Sequence, residues 1–528
     1  MSILPDEEAS APDACTGEAG GSPPADAQPA PTTRYGGSPD SHPVSPAGST
    51  STAGSPTILK NIAALVGGEM SARAIAFIAT AYLARRLDPE GFGILGLAAA
   101  LAGYLLVAVS TGINDLGARE VARRPRDAGA IAGGVILARL GMAVFAMLLL
   151  SLITWQIDKP AIVKTVIVLT GLSFFSLALD TSWVYKGLER NRWVAYALTF
   201  SQVIYLGAVL LVVTRPADVV FVPIAQFMGE ITAALLLGIP LFRGRRVVLR
   251  PMEGFRLLFA SRFLALSKLL RTLILTFDVL LLSFMLGEAD VGLYTAAYRV
   301  CFVLLAVAAA VQAAHLPALT RSTSVGADAV GDVIRGTFTH SALIGAPLVI
   351  GGMVTARPLL AAFFGPDYAA GAMAFRWLLL SLGFVFIRTI LHNLFVVYDH
   401  TKLEVRILAA AVALNIGLNL LLIPIYGIAG AGFATAMAEG FIVAAGLRAL
   451  ANTGIRLDLE PLARPLGAAI LMAVILAAIG SGWVLPLQLL GGAVLYVIAL
   501  AMLGGLPATT IAYVANWRSA RNGRDSRE

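Results

Sequence analysis

The residues in this chain best placed to do chemistry are a few charges embedded in long apolar runs. A charge at mid-bilayer costs roughly 2.5–3.5 kcal/mol on insertion scales, so such residues normally face a cavity or a partner. Glu69 and Arg73 are four residues apart, on one helical face. Lys268, Arg271 and Asp278 fall at i, i+3 and i+10, again on one face. Arg299, the Arg388/His392 pair, Arg139 and Glu230 lie well inside other runs. Arg73, Lys268, Arg271, Arg299 and Arg388 would together line a cationic, polar cavity. Such a cavity attracts a diphosphate, because arginine keeps its charge in low dielectric and presents several donors in a planar fork. Glu69, Asp278 and Glu230, with Glu439, are acids able to carry a proton or hold Na⁺ within a span. The competing reading is that Glu69–Arg73 and Asp278–Arg271 are internal ion pairs holding helices together. Arg299 and Arg388 lack an obvious local partner, while Asn415 and Asn419 suit interhelical hydrogen bonding.

The elements that must position these charges are membrane helices. Of 528 residues, 58% are hydrophobic and 13% charged, with a mean hydropathy of +0.80. A soluble domain carries about a quarter charged residues to hydrate its surface, so the solvent of this chain is lipid. Its 52 glycines let helices approach closely. Two cysteines, Cys15 and Cys301, make neither a disulfide framework nor a zinc site. The net charge of +7 comes from bases in short loops between apolar runs, as membrane topology requires, so no nucleic-acid partner is expected. No GxxxxGK[ST] loop is present, so the chain is not itself an ATPase, and no cofactor is expected.

Residues 1–57 are rich in Pro, Ser, Gly, Ala and Thr and bury too little apolar surface to offset the entropy of ordering. They read as a disordered cytoplasmic tail. They also lack the basic start and apolar core of a signal peptide.

From there the chain is a series of apolar runs of bilayer-spanning length, at 61–84, 93–112, 130–155, 161–182, 193–213, 219–241, 262–286, 290–314, 337–357, 372–397, 405–424, 428–449, 463–484 and 487–514. The runs do not alternate, which excludes a barrel. This predicts an all-α multi-pass membrane protein: an N-lobe at 58–242, an amphipathic cytoplasmic linker at 243–261, a C-lobe at 262–456, two further helices at 457–515 and a basic cytoplasmic tail at 516–528. Bases crowd the even-numbered loops, among them Arg119, Arg123, Arg124, Lys186, Arg190, Arg243 and Arg245. Odd-numbered loops hold fewer, chiefly Arg85, Arg86, Lys159, Arg215 and Arg357. The positive-inside rule then places both termini in the cytoplasm.

An internal echo supports two halves. LARRLDPEGFGILGLAAAL at 83–101 and FMLGEADVGLYTAAYRV at 284–300 each join one apolar run to the next. Leu87 aligns with Leu286, Gly93 with Gly292 and Ala98 with Ala297, all at one ungapped offset of 199 residues. The shift spans six helices, so orientation is preserved and the halves are parallel repeats, a transporter plan with the substrate site between them.

LKNIAAL at 59–65, YLARRLDPEGFGILGLAAAL at 82–101, FDVLLLSFMLGEADVGLYTAAYRV at 277–300, FFGPDYAAGAMAFRWL at 363–378 and LNIGLNLLLIPIYGIAGAGFATAMAEG at 414–440 occur in register. With them the chain resembles the Wzx-type polysaccharide (O-antigen and exopolysaccharide) flippases of the multidrug/oligosaccharidyl-lipid/polysaccharide exporter superfamily. The resemblance implies two six-helix lobes around a central cavity, plus two C-terminal helices. It implies a flippase that carries an undecaprenyl-diphosphate-linked oligosaccharide to the outer leaflet of the bacterial cytoplasmic membrane by alternating access. H⁺ or Na⁺ coupling, membrane lipid, and a polysaccharide polymerase with its chain-length machinery are the implied partners. Three rival functions compete with this one. A multidrug antiporter of the same superfamily would favour an acidic cavity for organic cations, and charge alone does not separate a peptidoglycan lipid-precursor flippase. A membrane glycosyltransferase or ligase would need a sizeable outer loop with catalytic groups; the odd-numbered loops are short and gather neither paired carboxylates nor a histidine cluster.

Overall fold

The computed structural model of the chain describes residues 55–505, apart from 111–112, 244–250, 261, 323, 399, 453–456 and 480–483. Most of the expected N-terminal tail, the basic C-terminal tail and part of the linker therefore lie outside the described residues. Among those described there is no strand. The helices are α1 (Ser55–Ser110), α2 (Ile113–Arg123), α3 (Ala128–Gln156), α4 (Ala161–Thr170), α5 (Ser173–Leu179), α6 (Ser182–Gly187), α7 (Asn191–Val212), α8 (Phe221–Phe242), α9 (Pro251–Ala260), α10 (Arg262–Met285), α11 (Glu288–Ser322), α12 (Ala327–Val354), α13 (Ala356–Phe364), α14 (Ala372–Val397), α15 (Thr401–Asn452), α16 (Glu460–Ile479) and α17 (Leu485–Met502).

Eleven described helical segments are long and apolar enough to cross a membrane. Two of them, within α1 and α15, are each a pair of spans merged across a kink, at Asp88 and at Gly427. With α10 added, the layout matches the fourteen expected spans. The fourth span differs: instead of one helix it is α4, α5 and α6, broken at Gly171 and again at Asp180. Gly171 lies against Met147 and Leu150 of α3, where a side chain would collide. The last span ends at Met502, short of the expected 514, and residues 506–528 lie outside the described part. The linker contains α9, which docks on α3 with Gly254 against the Gly134 carbonyl.

The distribution of buried side chains shows how the halves meet. One large core contains residues of both, among them Leu87, Leu97 and Phe174 with Val291, Tyr294 and Phe364. It occupies the end of the protein that bears the two echoing turns, called the turn face here. Toward the opposite, basic face the cores separate. One, around Trp183, Ile131 and Leu237, belongs only to the first half; another, around Phe338, Leu394 and Leu450, belongs only to the second. The lobes are thus joined at the turn face and packed independently at the other end.

The joint itself is built on the repeat. A Cβ on Gly93 would fall on the Glu288 carbonyl, and a Cβ on Gly292 would fall on the Pro89 carbonyl. Pro89 and Glu288 are themselves related by the 199-residue offset. Gly96 likewise meets its own equivalent, Thr295. Each turn gives up a side chain so that the other's backbone can approach. The residues ahead of the contact also correspond: Asp88 has φ 57° and its counterpart Gly287 has φ 134°. Left-handed backbone is routine for glycine and strained for aspartate. The following Pro89 pushes Asp88 toward its extended ψ of 171°.

Candidate functional site

Beneath this joint, between the first limb of α1 and the middle of α11, lies a cavity of about 460 Å³. Arg73, Phe77 and Thr80 line it from one lobe, and Arg299, Phe302 and Ala306 from the other. The structure therefore brings together two of the bases picked out in the sequence. Arg73 is compensated only loosely, by Glu69 one turn earlier at 3.9 Å, with both side chains well exposed. Arg299 is open to the cavity, and among the described residues it has neither an acidic partner nor a hydrogen-bond partner. Eleven residues into a 35-residue helix, it is an uncompensated cation deep in the span.

Thr80 and Arg299 also border a smaller chamber of about 60 Å³, whose other polar walls are Thr170, Tyr205, Gln226 and Thr295. Glu230 stands behind it. Its carboxylate accepts from Gln226 Nε2 at 2.8 Å and from Ser176 Oγ at 2.5 Å. Glu230 thus fixes the amide of Gln226 rather than lining the space itself. On its other side the cavity continues, through Phe77 and Val303, into an apolar groove of about 670 Å³ bounded by α11, α12, α16 and α17, including Leu343, Met472 and Tyr496.

The other sequence candidates fall elsewhere. Asp278 is buried in the C-lobe, where it accepts from Tyr294 Oη, Thr435 Oγ1 (3.3 Å) and the Val279 amide (2.9 Å). These contacts tie α10, α11 and α15 together with neutral donors. The side chains of Lys268 and Arg271, and with them the Asp278–Arg271 pairing, lie outside the described residues. Arg388 has a partner after all: Glu439 of α15, with Nε and Oε2 2.8 Å apart. The two atoms make a close charge contact without the alignment of a hydrogen bond. His392, one turn on, contacts Glu404 at 2.6 Å. Arg388 does not line the cavity of Arg73 and Arg299.

Arg139 is fully buried and donates to the Ser110 carbonyl (3.2 Å) and to Asn114 Oδ1 (2.7 Å). It caps the C-terminal end of α1, a structural task outside the cavity. Asn419 Nδ2 donates to the backbone and side-chain oxygens of Asn415, a contact within α15 rather than the expected interhelical one.

Sequence reasoning missed Tyr205 and Gln226, which carry no charge and no repeat signal. It also passed over Lys159, Arg85 and Glu288. Lys159 Nζ contacts Glu288 Oε1 at 2.6 Å across the lobes, and Arg85 donates to the Phe363 carbonyl at 3.0 Å. The one signal for the two bases was their place in the sparsely charged loops.

Residues 58–323, half of the chain, match the model of the polysaccharide biosynthesis protein family. A curated relative from Escherichia coli (strain K12), named "Putative O-antigen transporter", is 22% identical over 298 residues, 54% of this chain and 71% of that protein. Among solved structures, "Lipid II flippase MurJ, inward closed conformation" superposes with a TM-score of 0.69 at 14% identity, covering 83% of this chain and 98% of that one. An inward-facing multidrug resistance MATE family transporter of the MOP superfamily gives 0.61 at 14% identity, covering 72% and 94%. At such identities the superpositions establish the fold alone, and it is the two-lobe fold described above. These relatives are transporters and flippases, not enzymes. The chain belongs to the polysaccharide biosynthesis protein family, as a multi-pass membrane protein with the fold of these transporters.

Proposed function

We propose that this protein moves an undecaprenyl-diphosphate-linked oligosaccharide from the cytoplasmic to the outer leaflet of a bacterial cytoplasmic membrane, for polysaccharide export. In this reading both termini are cytoplasmic, the basic face is inner and the turn face is outer. The observation that carries it is the uncompensated Arg299, with Arg73 across the same cavity and an apolar groove opening beside them. A diphosphate supplies the charge that Arg299 lacks, and arginine's fork is matched to phosphate oxygens. The sugars occupy the cavity and the polar chamber of Tyr205 and Gln226, while the prenyl chain runs along the groove or stays in the bilayer. An organic-cation antiporter fits worse, since a free guanidinium repels its cargo.

Alternating access follows from lobes that share a core at one end only, and the state described here is closed at the outer face. Asp278 is our choice for the coupling site of H⁺ or Na⁺, because it is buried among neutral donors that tie three helices; Glu230 and Glu69 are the alternatives. A polymerase that receives the flipped unit is the expected partner.

The test is transfer of an undecaprenyl-diphosphate glycan between leaflets of vesicles holding the purified protein. Arg299→Gln with Arg73→Gln should slow transfer at least tenfold or so, the scale of losing charge-assisted hydrogen bonds. Unchanged transfer in a properly inserted double variant would remove the cavity from the mechanism. Faster transfer of a peptidoglycan-precursor glycan than of other glycans would select that cargo instead.

A further inference from the structure

Positive charge is sparse at the turn face, and one base there, Lys159, pairs with an acid of the other lobe. Lys159, in the connection between α3 and α4, reaches out of the first lobe to the start of the second. Its ammonium meets Glu288 Oε1 at 2.6 Å, donates to the Ser283 carbonyl at 2.7 Å and lies 5.7 Å from the centre of the Phe284 ring. Ser283 Oγ donates to the same carboxylate oxygen at 3.3 Å. The two charged side chains are only 13% and 15% exposed, so solvent screens the pair little. Glu288 is also the residue whose carbonyl Gly93 makes room for. One residue therefore closes on the first lobe twice, by backbone shape and by side-chain charge.

We propose that the Lys159–Glu288 pair is the latch of the outer gate, and that its strength sets how often the turn face opens. The chemistry suits a reversible catch. The ammonium's three contacts are polar or cation–π, and water can replace them when the lobes part. An apolar seal of the same size would have no substitute partner. Arg85, which caps the C-terminal carbonyls of α13 at Ala362 and Phe363, adds a second polar contact between the lobes. The proposal rests on the alternating-access reading above but not on the identity of the cargo.

The test uses the full chain in lipid nanodiscs, with Cys15→Ser and Cys301→Ala, spin-labelled at Glu90→Cys and Ala289→Cys. These two positions are equivalent under the repeat and both are exposed. The parent should give mainly one short inter-label distance. Lys159→Met should raise the ratio of long to short distances about tenfold or more, the factor expected when a charge-assisted contact is lost. Glu288→Gln should do the same, and the double variant should exceed neither, since both remove one interaction. Lys159→Arg, which keeps the charge, should retain the short distance. An unchanged distribution in Lys159→Met and Glu288→Gln, or additive effects in the double variant, would overturn the latch. A shift as predicted in a protein that transfers no undecaprenyl-diphosphate glycan would instead refute the cargo and leave the latch standing.

Discussion

If the reciprocal glycine contact is what closes the turn face, Gly93→Ala should hold it open, and Gly292→Ala should do so to the same degree. An added Cβ at Gly93 lands on the Glu288 carbonyl oxygen, and one at Gly292 on that of Pro89. Neither obstacle is the tip of a flexible side chain; both are backbone held in helical turns. Restoring van der Waals contact of about 3.5 Å requires α1 and α11 to separate by more than an ångström. Overpacking of this kind costs about 1–3 kcal/mol. Here the cost falls only on the closed state, because the contact does not exist once the turns part. The closed population should therefore drop roughly five- to hundredfold relative to the open one. Separation forced at one glycine also relieves the other, so the double variant should shift little further. The assay is the distance distribution between labels at positions 90 and 289, with thiol accessibility at Glu90→Cys as a check. A closed distribution in both alanine variants would refute the packing argument. A large effect at one glycine with none at the other would refute the two-fold reading of the joint.

Two further predictions concern the backbone and the buried charge. Asp88→Gly should be tolerated and should raise thermal stability slightly, by up to about 1 kcal/mol, because φ 57° strains aspartate and its counterpart is already glycine; Asp88→Val should lower it. Arg388→Met should destabilise by about 3 kcal/mol or more, since it strands the Glu439 carboxylate, which is 3% exposed. Arg388→Met with Glu439→Gln should recover most of that loss in thermal unfolding. Arg388→Met with an unchanged melting temperature and lost export would instead assign Arg388 to the cargo.

How much of this was legible in the sequence depended on the range of the interaction. Spans were legible because each is a local run of apolar residues, and even the merged helices of α1 and α15 kept the predicted break at Asp88 and Gly427. The repeat was legible because it is an identity at fixed offset. What it meant physically, Gly93 against Glu288 and Gly292 against Pro89, was not, since no pattern states that two turns touch. Arg388 looked unpartnered because Glu439 lies far along the chain on another helix. Spacing alone puts Glu69 and Arg73 on one helical face, and they lie 3.9 Å apart in loose contact, as the competing ion-pair reading expects. The break at Gly171 escaped notice because hydropathy continues unchanged through it, while the cause, Met147 and Leu150, sits on the neighbouring helix. Lys159 and Arg85 were counted as exceptions to a charge bias. An exception to such a rule is where a specific contact outweighs the general preference.

The repeat holds at the joint and fails at the charges, and the failure is informative. Pro89 and Glu288, Gly93 and Gly292, and Gly96 and Thr295 meet as equivalents, so the backbone of the gate obeys the two-fold relation. The bases do not. The counterpart of Arg299 is the buried Ala100, and the counterpart of Glu288, which holds Lys159, is Pro89. A symmetric backbone contact suits a motion in which two similar lobes rock against each other, because each turn is displaced alike. The proposed cargo, with a charged end, a sugar end and a lipid end, has no such symmetry. Two equivalent arginines would offer it two competing sites, half the occupancy of each unproductive. In the proposed function, Arg299, unpaired among the described residues, with the loosely paired Arg73 opposite and one apolar groove beside them, favours a single orientation of the cargo.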